Sequence, residues 1–336
     1  MAGDSYPLRP VSRSQATCLS ALPGSLYIRH PMISHALRFM VLAAALFAVA
    51  CSAHLSHADD VLAWRAGRLA SLRSADSWLT LVGLYWLQEG ENSFGSDPSH
   101  ALVLPGSHVP PTVGRFLLAD SVVTFIAAPG LEVMSAGTQV GRLVLLNDSG
   151  GEPTVLSLGT LTFYIIERAG AIAVRVKDSA SEALARFDGL DYFPVDEKWR
   201  VMARFVEHPG GGMQVAIPTF QGPTQIMASP GSLEFELAGQ TYSLDAFAAA
   251  GDDELFIIFG DGTNGRETYG GGRFIYVPRA DENGMVDLDF NRAYSPPCVF
   301  TPFATCPLPP PQNRLTAKIE AGEKNYHSPP RNPGER

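Results

Sequence analysis

Hydrophobic positions along this chain come in short runs and alternations, punctuated by glycine, proline and aspartate turns about every ten residues, while sustained helical spacing is scarce. In the first half, the runs at 101–104, 114–118, 122–127, 142–146, 160–167 and 171–177 predict strands. The aromatic and aliphatic stretch 78–87, broken by Gly83, predicts a buried strand with a turn. One segment differs. Residues 59–73 open on two aspartates and place Leu62, Arg65, Leu69 and Leu72 at helical spacing, which predicts a short helix held to the body by its leucines. Residues 178–189 read as a connector with a helical turn.

Beyond the connector, 199–206 alternates with Trp199, Val201, Ala203 and Phe205 on one face. Further short strands are expected at 225–228, 232–237 and 240–244, the last two joined through Ala238 and Gly239 as a hairpin. The continuous apolar run 255–259 finds a natural antiparallel partner in 274–277. From 286 to 291, Val286, Leu288 and Phe290 share one face and Asp287, Asp289 and Asn291 the other. Residues 307–311 predict a polyproline II stretch over the surface, and 315–320 a last strand. The expected fold is therefore mainly β: an N-terminal β-sandwich-like part over 59–180, a C-terminal antiparallel β-barrel or sandwich over 181–324, one short N-terminal helix, and a disordered tail from 325 to 336.

Composition agrees with a packed chain of many tight turns, since 46% of the 336 residues are hydrophobic, 18% are charged, and glycine and proline number 32 and 26. The N-terminus adds a compartment. Residues 39–50 form an apolar run too short to span a bilayer, preceded by Arg38 and followed by small residues, the pattern of a secretory signal. Met32 is a second candidate start, closer to that run than Met1. Two cleavage junctions fit: after Ser56-His57-Ala58, or at Ala48-Val49-Ala50-Cys51, an imperfect lipoprotein box that would put a lipid anchor on Cys51. A retained anchor helix is the third reading. The expectation is a leader over 1–58 and an exported chain, periplasmic or extracellular, with no membrane span after processing.

Removing 1–58 takes away four of the 25 basic and one of the 34 acidic residues, which leaves a net charge of −12. Nucleic acid is then not an expected partner, because phosphate binding needs a basic face. Cys298 and Cys306 become the only cysteines, in an oxidising compartment, and a disulfide between them would stabilise by about 2–3 kcal/mol. The rival is a pair of buried or reactive thiols. Two cysteines without a nearby histidine cannot complete a zinc shell, so no metal is expected, and no motif calls for a cofactor.

The densest candidate chemistry lies at 260–273, where Asp261, Thr263, Asn264, Arg266, Glu267, Thr268, Tyr269 and Arg273 stand among glycines at 260, 262, 265 and 270–272. Those glycines permit positive φ and open backbone N–H groups, so the loop could hold an anion between Arg266 and Arg273. The plainer reading is a hairpin tip with a cross-strand Asp261–Arg273 pair. Neither a P-loop nor a dinucleotide loop fits, because no Gly-Lys-Ser/Thr ends the segment and a strand follows it. Asp289 and Asn291, with Tyr294, would line the same pocket, or else form a solvated face and tie down a turn. Asp261, Thr263, Arg266, Tyr269, Arg273, Asp289, Asn291 and Tyr294 are thus the candidate residues for binding a small polar or anionic ligand.

Four histidines follow the leader, His100, His108, His208 and His327, none in a motif, and no Gly-x-Ser-x-Gly elbow occurs, so serine– or cysteine–histidine hydrolysis is not expected. Carboxylate hydrolysis by Glu267, Asp287 or Asp289 is one alternative to binding. An envelope scaffold or assembly protein, with the same residues as internal braces, is the other. Convergence on a cavity would favour binding; burial and mutual pairing without a cavity would favour bracing.

Several separated motifs occur in a telling order: Phe259 to Arg273, then Asp289-Phe-Asn-Arg-Ala-Tyr-Ser-Pro-Pro-Cys298, Cys306-Pro-Leu-Pro-Pro-Pro-Gln-Asn-Arg-Leu315 and Ala321-Gly-Glu-Lys324, preceded by Trp78 to Leu84 and Phe94 to Asp97. This combination resembles the domain-of-unknown-function family 1684, from about Trp64 to Lys324, with two departures: three glycines after Tyr269, and Ser295 where asparagine is usual. The resemblance implies no chemistry. A fainter one links Leu87 to Gly90, Phe94 to Asp97 and the Leu158-Gly159 turn to forkhead-associated type sandwiches. Ser96 stands where that family carries an arginine, so phosphopeptide binding is not implied.

Overall fold

The computed structural model describes residues 56–106 and 108–327; the apolar run 39–50, the Cys51 junction and the tail from 328 onward lie outside the described residues. The chain is mainly β, as its alternation implies. Its first half contains β1 (Leu81–Trp86), β2 (Gly90–Gly95), β3 (Leu102–Val103), β4 (Gly114–Ala119), β5 (Val122–Ala127), β6 (Met134–Ser135), β7 (Thr138–Gln139), β8 (Arg142–Leu145), β9 (Leu156–Leu158), β10 (Leu161–Arg168) and β11 (Ala171–Asp178). They form two sheets, ordered β1-β11-β10-β9-β6-β7 and β3-β2-β4-β5-β8. Alternate side chains of both sheets share one core. Within it, Phe163 of one sheet meets Phe94 and Phe125 of the other at 5.3 and 5.5 Å between ring centroids.

The second half contains β12 (Arg200–Glu207), β13 (Met213–Ile217), β14 (Gln225–Ser229), β15 (Gly231–Leu237), β16 (Gln240–Phe247), β17 (Glu254–Phe259), β18 (Arg273–Pro278) and β19 (Met285–Asp289). Apart from the β13–β14 hairpin, they build one antiparallel sheet ordered β18-β17-β16-β15-β12-β19, curled into a nearly closed barrel. Ala238 and Gly239, with φ of 52° and 78°, make the two-residue turn between β15 and β16. The apolar run in β17 is buried on both faces. Leu255, Ile257 and Phe259 point into the barrel core, while Phe256 and Ile258 pack outward against a layer that includes Phe247, Phe274, Cys298 and Cys306. Hence the run shows no alternation.

The helix α1 (His57–Leu72) begins two residues inside the expected leader and packs differently from the expectation. Leu62 is 54% exposed, whereas Val61, Arg65, Arg68 and Leu72 are buried. Arginine stems cover apolar surface while their heads find buried acceptors, so two arginines three residues apart supply the docking face. That face meets the C-terminal half rather than the sandwich with which the helix is grouped in sequence: Trp64 lies 6.3 Å from the Tyr294 ring, and Arg65 Nη2 donates to the Phe193 carbonyl at 3.1 Å. The connector forms the expected helical turn as α2 (Glu182–Ala185).

Three other expectations are corrected. Residues 315–320 form no strand; the Leu315 amide donates to the Gly260 carbonyl at 2.8 Å and Gly262 to Ala317 at 2.8 Å, while the nearby β18 residue Phe274 already pairs with Tyr294. The proline run is extended but not superficial, since Pro307, Pro309 and Pro310 are buried and Pro309 packs on Gly272. Residues 325–327 belong to the body: the Asn325 amide donates to the Glu267 carbonyl at 2.9 Å, and the Tyr326 ring lies 5.1 Å from that of Phe300.

The segment from Cys298 to Cys306 clamps the two halves together. Thr301 Oγ1 donates to the Leu81 carbonyl at 2.9 Å, Phe303 packs against Leu84, Ile166 and Ala173, and Arg175 Nη2 donates to Thr305 Oγ1 at 3.5 Å.

Candidate functional site

Strand alternation decides where Arg273 points. It precedes Ile275 and Val277 on the inner face of β18, so its guanidinium enters the end of the barrel, 5.2 Å from the Phe259 ring centroid. Both its side chain and that of Asp261 are wholly buried, and they form an ion pair. Arg273 Nη2 also donates to the Ile319 carbonyl at 2.8 Å, and Nη1 donates to the Ala321 carbonyl. Burial lowers the affinity of this guanidinium for its proton, and the Asp261 carboxylate restores part of it.

The rest of the loop is tied internally. Asp261 Oδ1 accepts from the Thr263 amide at 2.7 Å and from the Thr263 hydroxyl; Thr263 and Thr268 hydroxyls meet at 2.8 Å; Asn264 Oδ1 accepts from the Asp261 amide at 2.6 Å. Arg266 alone among the candidates here is exposed, and it does not converge with Arg273.

Asp289 and Asn291 form a second brace. Asp289 Oδ1 accepts from the Asn291 amide at 3.0 Å and from its Nδ2 at 2.8 Å, and Asn291 Oδ1 accepts from the Asp196 amide at 3.1 Å. Asp289 Oδ2 pairs with His57 Nε2 of α1 at 2.8 Å. Asp287, one pleat back, is held by Arg200 through contacts of 2.9, 3.1 and 2.6 Å. Tyr294 packs under Arg68, whose guanidinium carbon lies 4.8 Å from the ring centroid, and its hydroxyl has no partner among the described residues. Burial pushes that phenol well above the ordinary tyrosine range.

Residues 321–324 join the two braces. The Ala321 carbonyl receives Arg273; Gly322, at φ 76°, turns where an added Cβ would stand 2.3 Å from the Ala293 carbonyl oxygen; Glu323, wholly buried, accepts from Arg68 Nε at 2.8 Å and from the Ser295 amide at 2.8 Å. Burial alone would lower the Arg68 proton affinity, but the Glu323 contact outweighs it and the result is raised. Asn313 does similar service, accepting from the Asp245 amide at 2.7 Å and donating to the Asp245 and Ile258 carbonyls at 2.8 Å each. Arg68, Asn313 and Glu323 are not among the expected site residues; in the sequence they stand in the arginine pair three apart on α1, in Cys306–Leu315 and in Ala321–Lys324.

Cys298 and Cys306 are both buried and adjacent, with the Cys298 amide donating to Cys306 Sγ at 3.0 Å. Tyr269 packs in the same layer, and its phenol is pushed up by burial and by Cys298. Surface hollows of about 330 and 540 Å³ lie elsewhere, the first lined by Trp86, Glu89 and Ala171, the second by Met202, Arg204 and Glu236; neither is lined by a candidate residue. His208 Nε2 lies 3.2 Å from Ser229 Oγ and 3.5 Å from Asp245 Oδ1. Both contacts use one ring nitrogen and Ser229 is wholly buried, so the trio cannot relay a proton as a hydrolytic triad does.

No curated protein matches the chain. Among solved structures, an uncharacterized protein of Haloarcula marismortui, determined by NMR in solution, is 36% identical over 41% of this chain and 77% of its own, with a TM-score of 0.36. The FhaA FHA domain, solved in complex with an intracellular domain of another protein, is 15% identical over 28% of this chain and 97% of its own, with a TM-score of 0.20. A family model described as "Protein of unknown function (DUF1684)" matches residues 185–324, the span that contains β12 to β19 and every candidate residue. Through that match the chain belongs to the DUF1684 family.

Proposed function

We propose that this chain is an exported scaffold or assembly protein of the cell envelope, and that its motif residues are internal braces rather than a ligand pocket. One observation carries the reading: Arg273, the residue best suited to greet an anion, is wholly buried on Asp261 and two carbonyls. A soluble ligand would have to displace a paired charge from a barrel end, which costs several kcal/mol. Of the three carboxylates named for hydrolysis, Asp287 is held by Arg200 at the surface and Asp289 by His57 in the interior, whereas a buried oxygen of Glu267 has no partner among the described residues. Export is supported by the apolar run 39–50 with Arg38 before it and small residues after it.

A scaffold needs a surface to offer. Val122, Val144 and Leu146, on or beside the edge strands of the sandwich, are 50, 57 and 66% exposed, and we assign contact with a partner protein to this side. The test is chemical cross-linking in envelope fractions, followed by mass measurement, of the native chain and a Val144→Glu, Leu146→Glu variant. A discrete adduct that the variant loses supports the reading. A chain that stays uncrosslinked, together with a small molecule that raises the melting temperature of the native protein but not of Arg273→Lys, sinks it and restores a pocket.

A further inference from the structure

The first turn of α1 is built from residues that the sequence alone assigns to a leader. Ser56 caps it: Ser56 Oγ accepts from the Asp59 amide at 3.2 Å, while the Asp59 carboxylate accepts from the Ser56 hydroxyl at 2.7 Å and from its amide at 3.3 Å. Next comes His57, whose Nε2 meets Asp289 Oδ2 at 2.8 Å with both side chains more than nine-tenths buried. Asp289 Oδ1 is already taken by Asn291, and Arg292 Nε stands 3.6 Å from Oδ2, so His57 supplies the short contact to that oxygen.

Cleavage after Ala58 would undo this in three ways. It removes the cap that satisfies the first turn. It takes the partner from a buried carboxylate, which leaves a desolvated charge. It also creates an ammonium at Asp59, at the positive end of the helix dipole, where a cation is disfavoured. The small residues Ser56 and Ala58 are thus explained by capping and helix formation, not by a peptidase.

We infer that the leader ends upstream of Ser56, so that the exported chain keeps Ser56, His57 and Ala58 as the start of its fold. Of the two junctions the sequence offers, this leaves the bond between Ala50 and Cys51, five residues before the cap. The step is hydrolysis: water adds across one peptide bond, leaving a carboxylate on the leader and an ammonium on the exported chain.

The inference rests on the export reading, and one experiment separates them. The full chain is expressed with its leader in a bacterial host, recovered from the envelope or medium, and its first residue fixed by intact mass. Any first residue after the apolar run and up to Ser56, with or without lipid on Cys51, supports the inference. A first residue at His57 or later overturns it while export stands. An uncut chain in the envelope also overturns it while export stands, and an uncut chain in the cytoplasm overturns both. In the same exported protein, Ser56→Ala and His57→Ala should each lower the melting midpoint by a few degrees, whereas Ala58→Ser should not. Unchanged midpoints in both would show that these residues are not part of the folded chain, and the inference would fail.

Discussion

The Arg273 guanidinium and the Asp261 carboxylate meet with no part of either side chain reaching water. Such a pair adds little net stability over an apolar pair, but breaking it strands a charge. Arg273→Ala and Asp261→Asn should therefore each destabilise by about 3–5 kcal/mol, while the joint replacement Arg273→Met with Asp261→Leu should cost less than either alone. Urea unfolding of the four proteins measures this. Equal, small losses in the single variants would mean that the pair is solvated in solution.

Gly272 and Gly270 lie two residues apart and should respond oppositely to alanine. At Gly272, φ is +90° and an added Cβ would lie 2.4 Å from Pro309 Cγ and 2.7 Å from the Phe259 carbonyl oxygen; at Gly270 the nearest atom is 3.7 Å away. Gly272→Ala should cost about 2–5 kcal/mol through strain and overpacking. Gly270→Ala should stay within about 1 kcal/mol of the native protein. Thermal unfolding with the two variants side by side distinguishes a specific close approach from general loop sensitivity.

Much of this architecture can be read in the chain before any coordinates. Val201, Ala203 and Phe205 alternate because β12 has one covered face, and the Asp261–Arg273 pairing follows from joining 255–259 to 274–277 in a hairpin. The remainder is nonlocal. Arg68 looks solvent-directed until Glu323, some 255 residues away, supplies a buried acceptor. The proline run looks superficial because nothing near it in sequence reveals that Gly272 packs beneath it. β13 shows a weak pattern, since Gln214 and Ala216 face outward and Met213 is half exposed. Burial of polar groups is decided by distant partners, which a periodicity does not encode.

Glu323 should control whether α1 stays docked. Its carboxylate satisfies Arg68 Nε and the Ser295 amide inside the protein, so Glu323→Gln leaves Arg68 as an unpaired buried cation. Amide hydrogen exchange should accelerate across 57–72 in this variant, with the sandwich strands unchanged. Uniform acceleration over the whole chain would instead show that helix docking and global folding are inseparable.

Tyr85 gives a signature at high pH. Burial pushes its phenol up to about 12, and its hydroxyl donates to the Val103 carbonyl at 2.6 Å. An unfolded tyrosine ionises near pH 10. Because the folded value is the higher one, the contribution is complete below about pH 10 and is lost as pH climbs toward about 12. The melting midpoint of the native protein should consequently fall more steeply over that window than that of Tyr85→Phe. Identical slopes would place this phenol in free contact with water.

Cys298 and Cys306 make the final case, because their thiols are adjacent and buried beside the segment that joins the two halves. Contact with Cys306 lowers the Cys298 thiol below its ordinary range against the opposing effect of burial, with Tyr269 assisting, so the attacking thiolate is the more accessible form at Cys298. With oxidised glutathione, exchange should transfer both thiol hydrogens to the glutathione disulfide, yielding two reduced glutathiones and a cystine that closes the clamp loop. The product should lose the mass of two hydrogens, regain it with dithiothreitol, and unfold at higher denaturant by about 2–3 kcal/mol. Cys298→Ser should abolish the mass change, which assigns it to this pair. If both cysteines remain alkylatable after oxidation and denaturation, the thiols are too well buried for exchange. They would then serve only as apolar packing against Phe274 and Tyr294.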